Sequence, residues 1–144
     1  MMTTLASVCA ALTLTFAPAG DGGAKPSMEP PVPKIRSVES KIVEQTNAER
    51  VRYGLKPLVL DEHLLDSARK HAEWMTNRGL LQHTSLPVAE NIAMGQRTSY
   101  EAVRDWMNSP GHRANILNPN YTRIGAAAFT APNGTAYWCQ QFTH

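Results

Sequence analysis

Apolar residues between Asp61 and Gly79 recur every three or four positions, and this spacing predicts an amphipathic helix with one buried stripe. Asp61 can accept hydrogen bonds from the first helical turn, and Gly79 can adopt the left-handed conformation that often ends a helix. The stripe consists of Leu64, Leu65, Ala68, Ala72 and Met75. We therefore expect this helix to pack one face against a core.

Three further helices are predicted from start and stop signals. The first begins near Ser37 or Ser40, either of which can cap backbone N–H groups, and stops at Gly54. Another opens at Thr98, where a Thr-x-x-Glu sequence forms a capping-box pattern. A short last helix is expected over 111–117. The inner face of the helix after Thr98 is expected to carry Val103, Trp106 and Met107.

The C-terminal part changes to a strand-like pattern. Two apolar runs, 124–129 and 135–142, flank an Asn133-Gly134 pair, which is a strong signal for a β-hairpin. Before them, 57–60 is expected to be a short extended link, and 80–97 a loop containing a short apolar segment, 88–94. Helices followed by a hairpin indicate a layered α+β domain with an antiparallel sheet.

The N-terminal quarter of the chain differs from this pattern. Residues 5–16 are apolar and precede Ala17-Pro18-Ala19, which predicts a signal peptide over 1–19, although no Lys or Arg precedes the run. A frayed terminus or a misplaced start codon is the alternative. Residues 20–36 are rich in Gly and Pro and predict a linker, so the domain spans 37–144. Cleavage would remove Cys9 and leave Cys139 without an intramolecular disulfide partner.

Composition narrows the classes of partner. Fourteen Lys and Arg against 12 Asp and Glu give a net charge of +2, and no basic cluster indicates a nucleic-acid partner. No apolar run approaches the length of a membrane span. Together with the predicted signal peptide, these features favour a secreted, extracellular domain that folds around one apolar core. We expect this domain to be a monomer.

Three polar residues carry the candidate chemistry. His83 and His112 each follow a helix end or break, and Glu90 interrupts an apolar segment, so it is either exposed or buried with a partner. Two imidazoles and a carboxylate can bind a divalent transition metal, but the spacing matches no metal motif. His71 is expected to be a packed helix residue. The nucleophile candidates, Ser109 and Cys139, are weak.

Several motifs together identify a family. The chain resembles the CAP superfamily (cysteine-rich secretory proteins, antigen 5 and pathogenesis-related 1) in its short bacterial form, the SCP domain. The matching motifs are Asn47-Ala48-Glu49-Arg50, Glu90-Asn91-Ile92-Ala93, Trp106, Ser109-Pro110-Gly111-His112-Arg113 and Ile124-Gly125. The resemblance implies a three-layer α-β-α sandwich whose cavity holds two His and two Glu.

The same resemblance assigns roles to positions. His83 and His112 match the two His, which would hold a zinc or other divalent ion, and Glu90 matches the first Glu. The second Glu position, three residues after Trp106, is Ser109 in this chain. The binding cavity is therefore predicted to contain His83, Glu90, Ser109 and His112, with one carboxylate fewer than the family pattern.

Three functions remain open at this point. The first is a secreted binding module for a small apolar ligand such as a lipid, for a cell-wall component or for a protein. The second is a metal-dependent hydrolase, resembling a protease, in which Glu90 would polarise a metal-bound water held by His83 and His112. The third is structural, with the three residues forming a buried hydrogen-bonded cluster. Whether the chain is an enzyme is left undecided by the sequence.

Overall fold

The computed structural model describes residues 34–144, so the predicted signal peptide and most of the linker lie outside the described residues. Within these residues, four helices and four strands follow one another. They are α1 (Ser37–Arg52), β1 (Val59–Leu60), α2 (Glu62–Arg78), β2 (Ala89–Met94), α3 (Ser99–Met107), α4 (Pro110–Ile116), β3 (Arg123–Thr130) and β4 (Ala136–Thr143). No helix in this part of the chain is both long and apolar enough to cross a membrane.

One four-stranded sheet, in the order β1-β3-β4-β2, forms the middle layer. The predicted hairpin is present, because β3 and β4 pair antiparallel, and β2 pairs antiparallel with β4. Helix α2 packs on one face of the sheet, whereas α1 packs against β3 and against α3 and α4 in the other helical layer. The α-β-α sandwich is thus confirmed, with one addition: β1 joins the sheet in parallel with β3.

Local signals located the helices well, and α1 begins at Ser37, where its start was expected. Asp61 accepts a hydrogen bond from the Leu64 amide, and Thr98 caps α3 in the same way. Helix α1, however, has Arg36 at its N-cap, so the prediction of a Ser37 or Ser40 cap is wrong. The buried carboxylate of Glu39, at the third position of the helix, accepts the Arg36 backbone N–H at 2.7 Å, so a glutamate satisfies a backbone donor at this helix end.

Strand β2 was predicted only as an apolar segment within a loop. It lies at an edge of the sheet, and neighbouring side chains satisfy some of its carbonyls. The Asn115 amide donates to the Glu90 carbonyl at 3.2 Å, and the Trp106 indole donates to the Ile92 carbonyl at 3.1 Å. These bonds attach α3 and α4 to the edge strand and cover backbone groups that could pair with another chain.

Two residues set how closely the layers approach. A Cβ at Gly125 would lie 2.1 Å from the Leu64 carbonyl carbon, so only glycine lets α2 lie this close to β3. On the other side of the sheet, the buried Arg50 guanidinium donates to carbonyls of two loops and of the last residue of α4. Its acceptors are the carbonyls of Lys56, Ile116, Asn118 and Tyr121, at 2.7 to 3.2 Å.

Candidate functional site

Glu90 is the centre of a hydrogen-bonded cluster at the edge of the sheet. Its side chain is only 3% exposed, and both carboxylate oxygens accept hydrogen bonds. Oε1 accepts from His83 Nδ1 and from the Thr84 backbone N–H, both at 2.9 Å. Oε2 accepts from Gln141 Nε2 at 2.9 Å and from the Cys139 thiol at 3.5 Å. The carboxylate therefore ties the loop after α2 to strands β2 and β4.

These contacts keep Glu90 ionised. Burial alone would raise the pKa of its carboxyl group, but hydrogen bonds from Gln141, Thr84 and His83 outweigh burial, and the pKa is lowered. Burial raises the pKa of the Cys139 thiol well above its usual value, and the neighbouring Glu90 anion adds to that shift. The buried thiol consequently stays protonated and donates to the carboxylate, which agrees with its prediction as a weak nucleophile.

His83 is held by one ring nitrogen and exposed on its other side. Nδ1 donates to Glu90, which fixes the tautomer and leaves Nε2 without a hydrogen in the neutral ring. The side chain is 60% exposed. The arrangement presents an oriented hydrogen-bond acceptor, or a ligand atom for a metal, at the protein surface.

His112 reaches the same edge from the opposite helical layer. The Asn91 side chain, next to Glu90 but on the other face of β2, donates to the His112 carbonyl at 3.1 Å and accepts from the Asn115 amide at 2.9 Å. The pKa of His112 is lowered, first by burial and second by the charge of nearby His83. Glu90 and Asn91 therefore bring the two imidazole-bearing segments together from the two faces of one strand.

The other predicted residues have clear positions. Ser109 is the N-cap of α4, where its carbonyl accepts the Arg113 N–H, and no hydrogen bond from its side chain caps the helix. His71 is packed, as expected, with an 11% exposed side chain that stacks on Trp74. It also lies in the cluster: Nε2 donates to the Gln82 carbonyl at 2.8 Å and is 3.7 Å from Glu90 Oε2.

Several participants were not identified from the sequence. Asn91 belongs to the matched Glu90-Asn91-Ile92-Ala93 motif, and Asn115 follows the matched motif over 109–113 by two residues, so these motifs could have marked both asparagines. Gln141 and the thiol of Cys139 are brought to Glu90 by the pairing of β2 with β4, which places Glu90 opposite Gln141. No local pattern in the chain indicates that pairing.

The same residues offer few ligands to a metal. Within 34–144, no group of three or more His, Cys, Asp or Glu side chains is arranged to hold a metal ion. The oxygens of Glu90 are occupied by protein donors, and the resemblance implies a serine, Ser109, at the position of the second family carboxylate. Two imidazoles alone do not fit a resident zinc ion, whose sites normally have three or four protein ligands.

Fold and site together define an α-β-α domain with an imidazole and carboxylate cluster at its edge strand. The family model described as "Cysteine-rich secretory protein family", CAP, matches residues 43–142, and the chain belongs to this family. YkwD of Bacillus subtilis is 42% identical in an alignment of 125 positions that covers 75% of this chain and 48% of that protein. YlbC of the same organism, named as a membrane protein, is 32% identical over 60% of this chain and 30% of its own length. The chain thus spans less than half of each relative.

Solved structures agree with the fold. An extracellular SCP-domain protein from Bacillus anthracis superposes with a TM-score of 0.66 and 26% identity, over 74% of this chain and 40% of that chain. NaASP2, whose structure is described with Zn²⁺, gives a TM-score of 0.60 at 14% identity, over 73% and 78% of the two chains. The second likeness concerns the fold alone.

Proposed function

We propose that this chain is a secreted binding module whose binding face is formed by His83 and His112 around Glu90, with Ser109 at its border. The observation that carries the proposal is the complete use of the Glu90 carboxylate by protein donors. A carboxylate so engaged orients His83 and is a poor general base, because a base must have a free lone pair for the proton it accepts. Binding through the imidazole of His83, which Glu90 orients, requires no general base.

The surface beside His83 supports an apolar ligand or an apolar part of one. A cavity of about 560 Å³, within the usual range of ligand pockets, is lined by residues that include His71, Trp74 and His83. Trp74 is 36% exposed and is the large apolar side chain of this lining. A lipid, a cell-wall fragment or an apolar protein segment could place its apolar portion here and a hydrogen-bond donor on His83.

The proposal is tested by titrating the domain with a fluorescent sterol, a fluorescent fatty acid and soluble peptidoglycan fragments. We expect saturable binding to one of these, weakened about tenfold by His83→Ala, as for the loss of one well-formed polar contact. The matched control is His144→Ala, which removes an exposed imidazole beside Asn120 and should leave binding unchanged. No saturable binding to any of the three probes would contradict the proposal.

The alternative, a metal-dependent hydrolase, is less well supported because the donor set does not fit a resident ion, and we derive no metal-dependent step. Calorimetric titration of zinc into wild type and His112→Ala decides between the two. We expect small, equal heats from both proteins. A saturable zinc heat that disappears in His112→Ala and weakens on acidification, as protonated imidazole loses its ligand atom, would favour the hydrolase.

A further inference from the structure

A second groove lies between α1 and α3, in the helical layer opposite α2. It has a volume of about 370 Å³ and is separate from the His83 cluster. Its lining combines apolar and aromatic side chains with three arginines. The lining includes Gln45, Glu49, Arg52, Tyr53, Tyr100, Arg104, Met107 and Arg113.

This groove carries a surplus of positive charge. Of its three lining guanidinium groups, that of Arg52 lies 3.7 Å from Glu49 and that of Arg104 pairs with Asp105 at 2.9 Å, so Arg113 supplies the charge that is left over. The Arg113 guanidinium lies 5.0 Å from the centre of the Tyr53 ring, and in the part of the chain that the structure describes it forms no ion pair. A guanidinium stacked on an aromatic ring keeps its outward N–H groups available for a carboxylate. The groove therefore favours an anionic occupant.

An unsatisfied amide narrows the choice of anion. The side-chain oxygen of Gln45, which lines the groove, is buried and has no hydrogen-bond partner among the described residues. A buried polar atom without a partner is costly, so an occupant gains affinity if Gln45 turns its amide into the groove to pair with it. If the amide is turned over, the atom becomes a donor instead of an acceptor. A peptide backbone supplies both an N–H and a carbonyl, whereas a fully ionised phosphate chain or a fatty-acid carboxylate supplies no N–H.

The exposed surface has the composition of a protein-binding patch. Tyr100 is 63% exposed and Tyr53 44% exposed, and Met107 contributes to the apolar lining. Tyr, Arg and Met are the residue types enriched where proteins bind one another. We infer that this groove binds an acidic segment of a protein partner, with its carboxylates on Arg52 and Arg113, its backbone on Gln45 and an apolar side chain between the tyrosines.

The test uses a fluorescein-labelled random copolymer of glutamate and tyrosine as the probe and measures its binding by anisotropy. We expect saturable binding that weakens with added salt and falls at least about tenfold in the double variant Arg52→Glu/Arg113→Glu. The matched control, Lys70→Glu/Arg78→Glu, changes the net charge equally but lies on exposed positions of α2. It should alter the dissociation constant less than about twofold.

A second variant tests the peptide assignment itself. Gln45→Leu should weaken copolymer binding severalfold and leave any binding of inorganic polyphosphate unchanged. Denaturant melts check that every variant folds, and Arg52→Gln/Arg113→Gln replaces the charge reversal if that one does not. Absence of copolymer binding, equal loss in the two double variants, or equal affinity for polyphosphate or phosphatidylglycerol vesicles would overturn the inference. None of these results depends on His83, so the inference can fail while the proposed function stands.

Discussion

Removing the Glu90 carboxylate tests whether the cluster at the edge strand holds the loop, the helix and the sheet together. In Glu90→Ala, four donors lose their acceptor. Two of them, His83 and the Thr84 amide, lie near solvent, so water can replace the carboxylate. The other two, on Gln141 and Cys139, belong to fully buried residues that water cannot reach without rearrangement.

The expected loss of stability follows from these two buried donors. A buried polar group left without a partner costs about 1–3 kcal/mol, and the weak thiol donor adds little. We therefore expect Glu90→Ala to lower the free energy of unfolding by about 1–3 kcal/mol. Glu90→Gln keeps the shape, and Gln141 can turn its amide so that its oxygen accepts from the new side chain. That variant should lose less than about 1.5 kcal/mol.

The pH dependence of the difference isolates the charge of Glu90. Because the pKa of Glu90 in the folded state is lowered below its ordinary value of 4.5, the carboxylate stabilises the fold above that value. This contribution is lost as the pH falls through the folded-state pKa. The stability difference between wild type and Glu90→Gln should thus be largest near neutral pH and shrink in acid. Other carboxylates such as Glu39, whose pKa is also lowered, affect both proteins equally.

The assay is urea unfolding of wild type, Glu90→Ala and Glu90→Gln at about pH 7 and about pH 3.5, followed by circular dichroism. If Glu90→Ala and wild type unfold at the same urea concentration, the stabilising role assigned to the hydrogen bonds of Glu90 is refuted. A difference between wild type and glutamine that does not change between the two pH values would refute the electrostatic part of the reasoning.

Three further predictions concern the fold and His112. Gly125→Ala should destabilise by about 3 kcal/mol in urea melts, because its Cβ would overlap the Leu64 backbone, whereas Gly111→Ala, with open space at its Cβ, should stay within about 0.5 kcal/mol of wild type. Arg50→Ala should lower the free energy of unfolding by more than about 3 kcal/mol in the same assay, since four backbone carbonyls lose their donor. A variant that unfolds at the same urea concentration as wild type would contradict this. His112 should titrate below pH 6.5 in proton NMR, so that stability from this group rises with pH through that region, and a midpoint at or above 6.5 would be inconsistent with its burial.

Much of the fold could be predicted because its signals are local. The cap at Asp61, the left-handed Gly79 and the apolar stripe between them lie within one helix, and each acts on neighbouring backbone groups. The Asn133-Gly134 turn likewise specifies its own hairpin. The family resemblance predicted that His83, Glu90 and His112 belong to one site, because a resemblance carries three-dimensional information that periodicity does not.

Long-range pairing decided the rest. Strand β2 was not predicted as a strand, because its carbonyls find their partners in β4, α3 and α4, far from it along the chain. The same pairing places Gln141 opposite Glu90 and, with the close approach of α2 over Gly125, brings His71 to the carboxylate. Residue types and spacing along the chain determined the helices and the hairpin, since those depend on backbone groups a few residues apart. Only the tertiary structure decided that Glu90 is a saturated acceptor, because its donors come from residues 6 to 51 positions away.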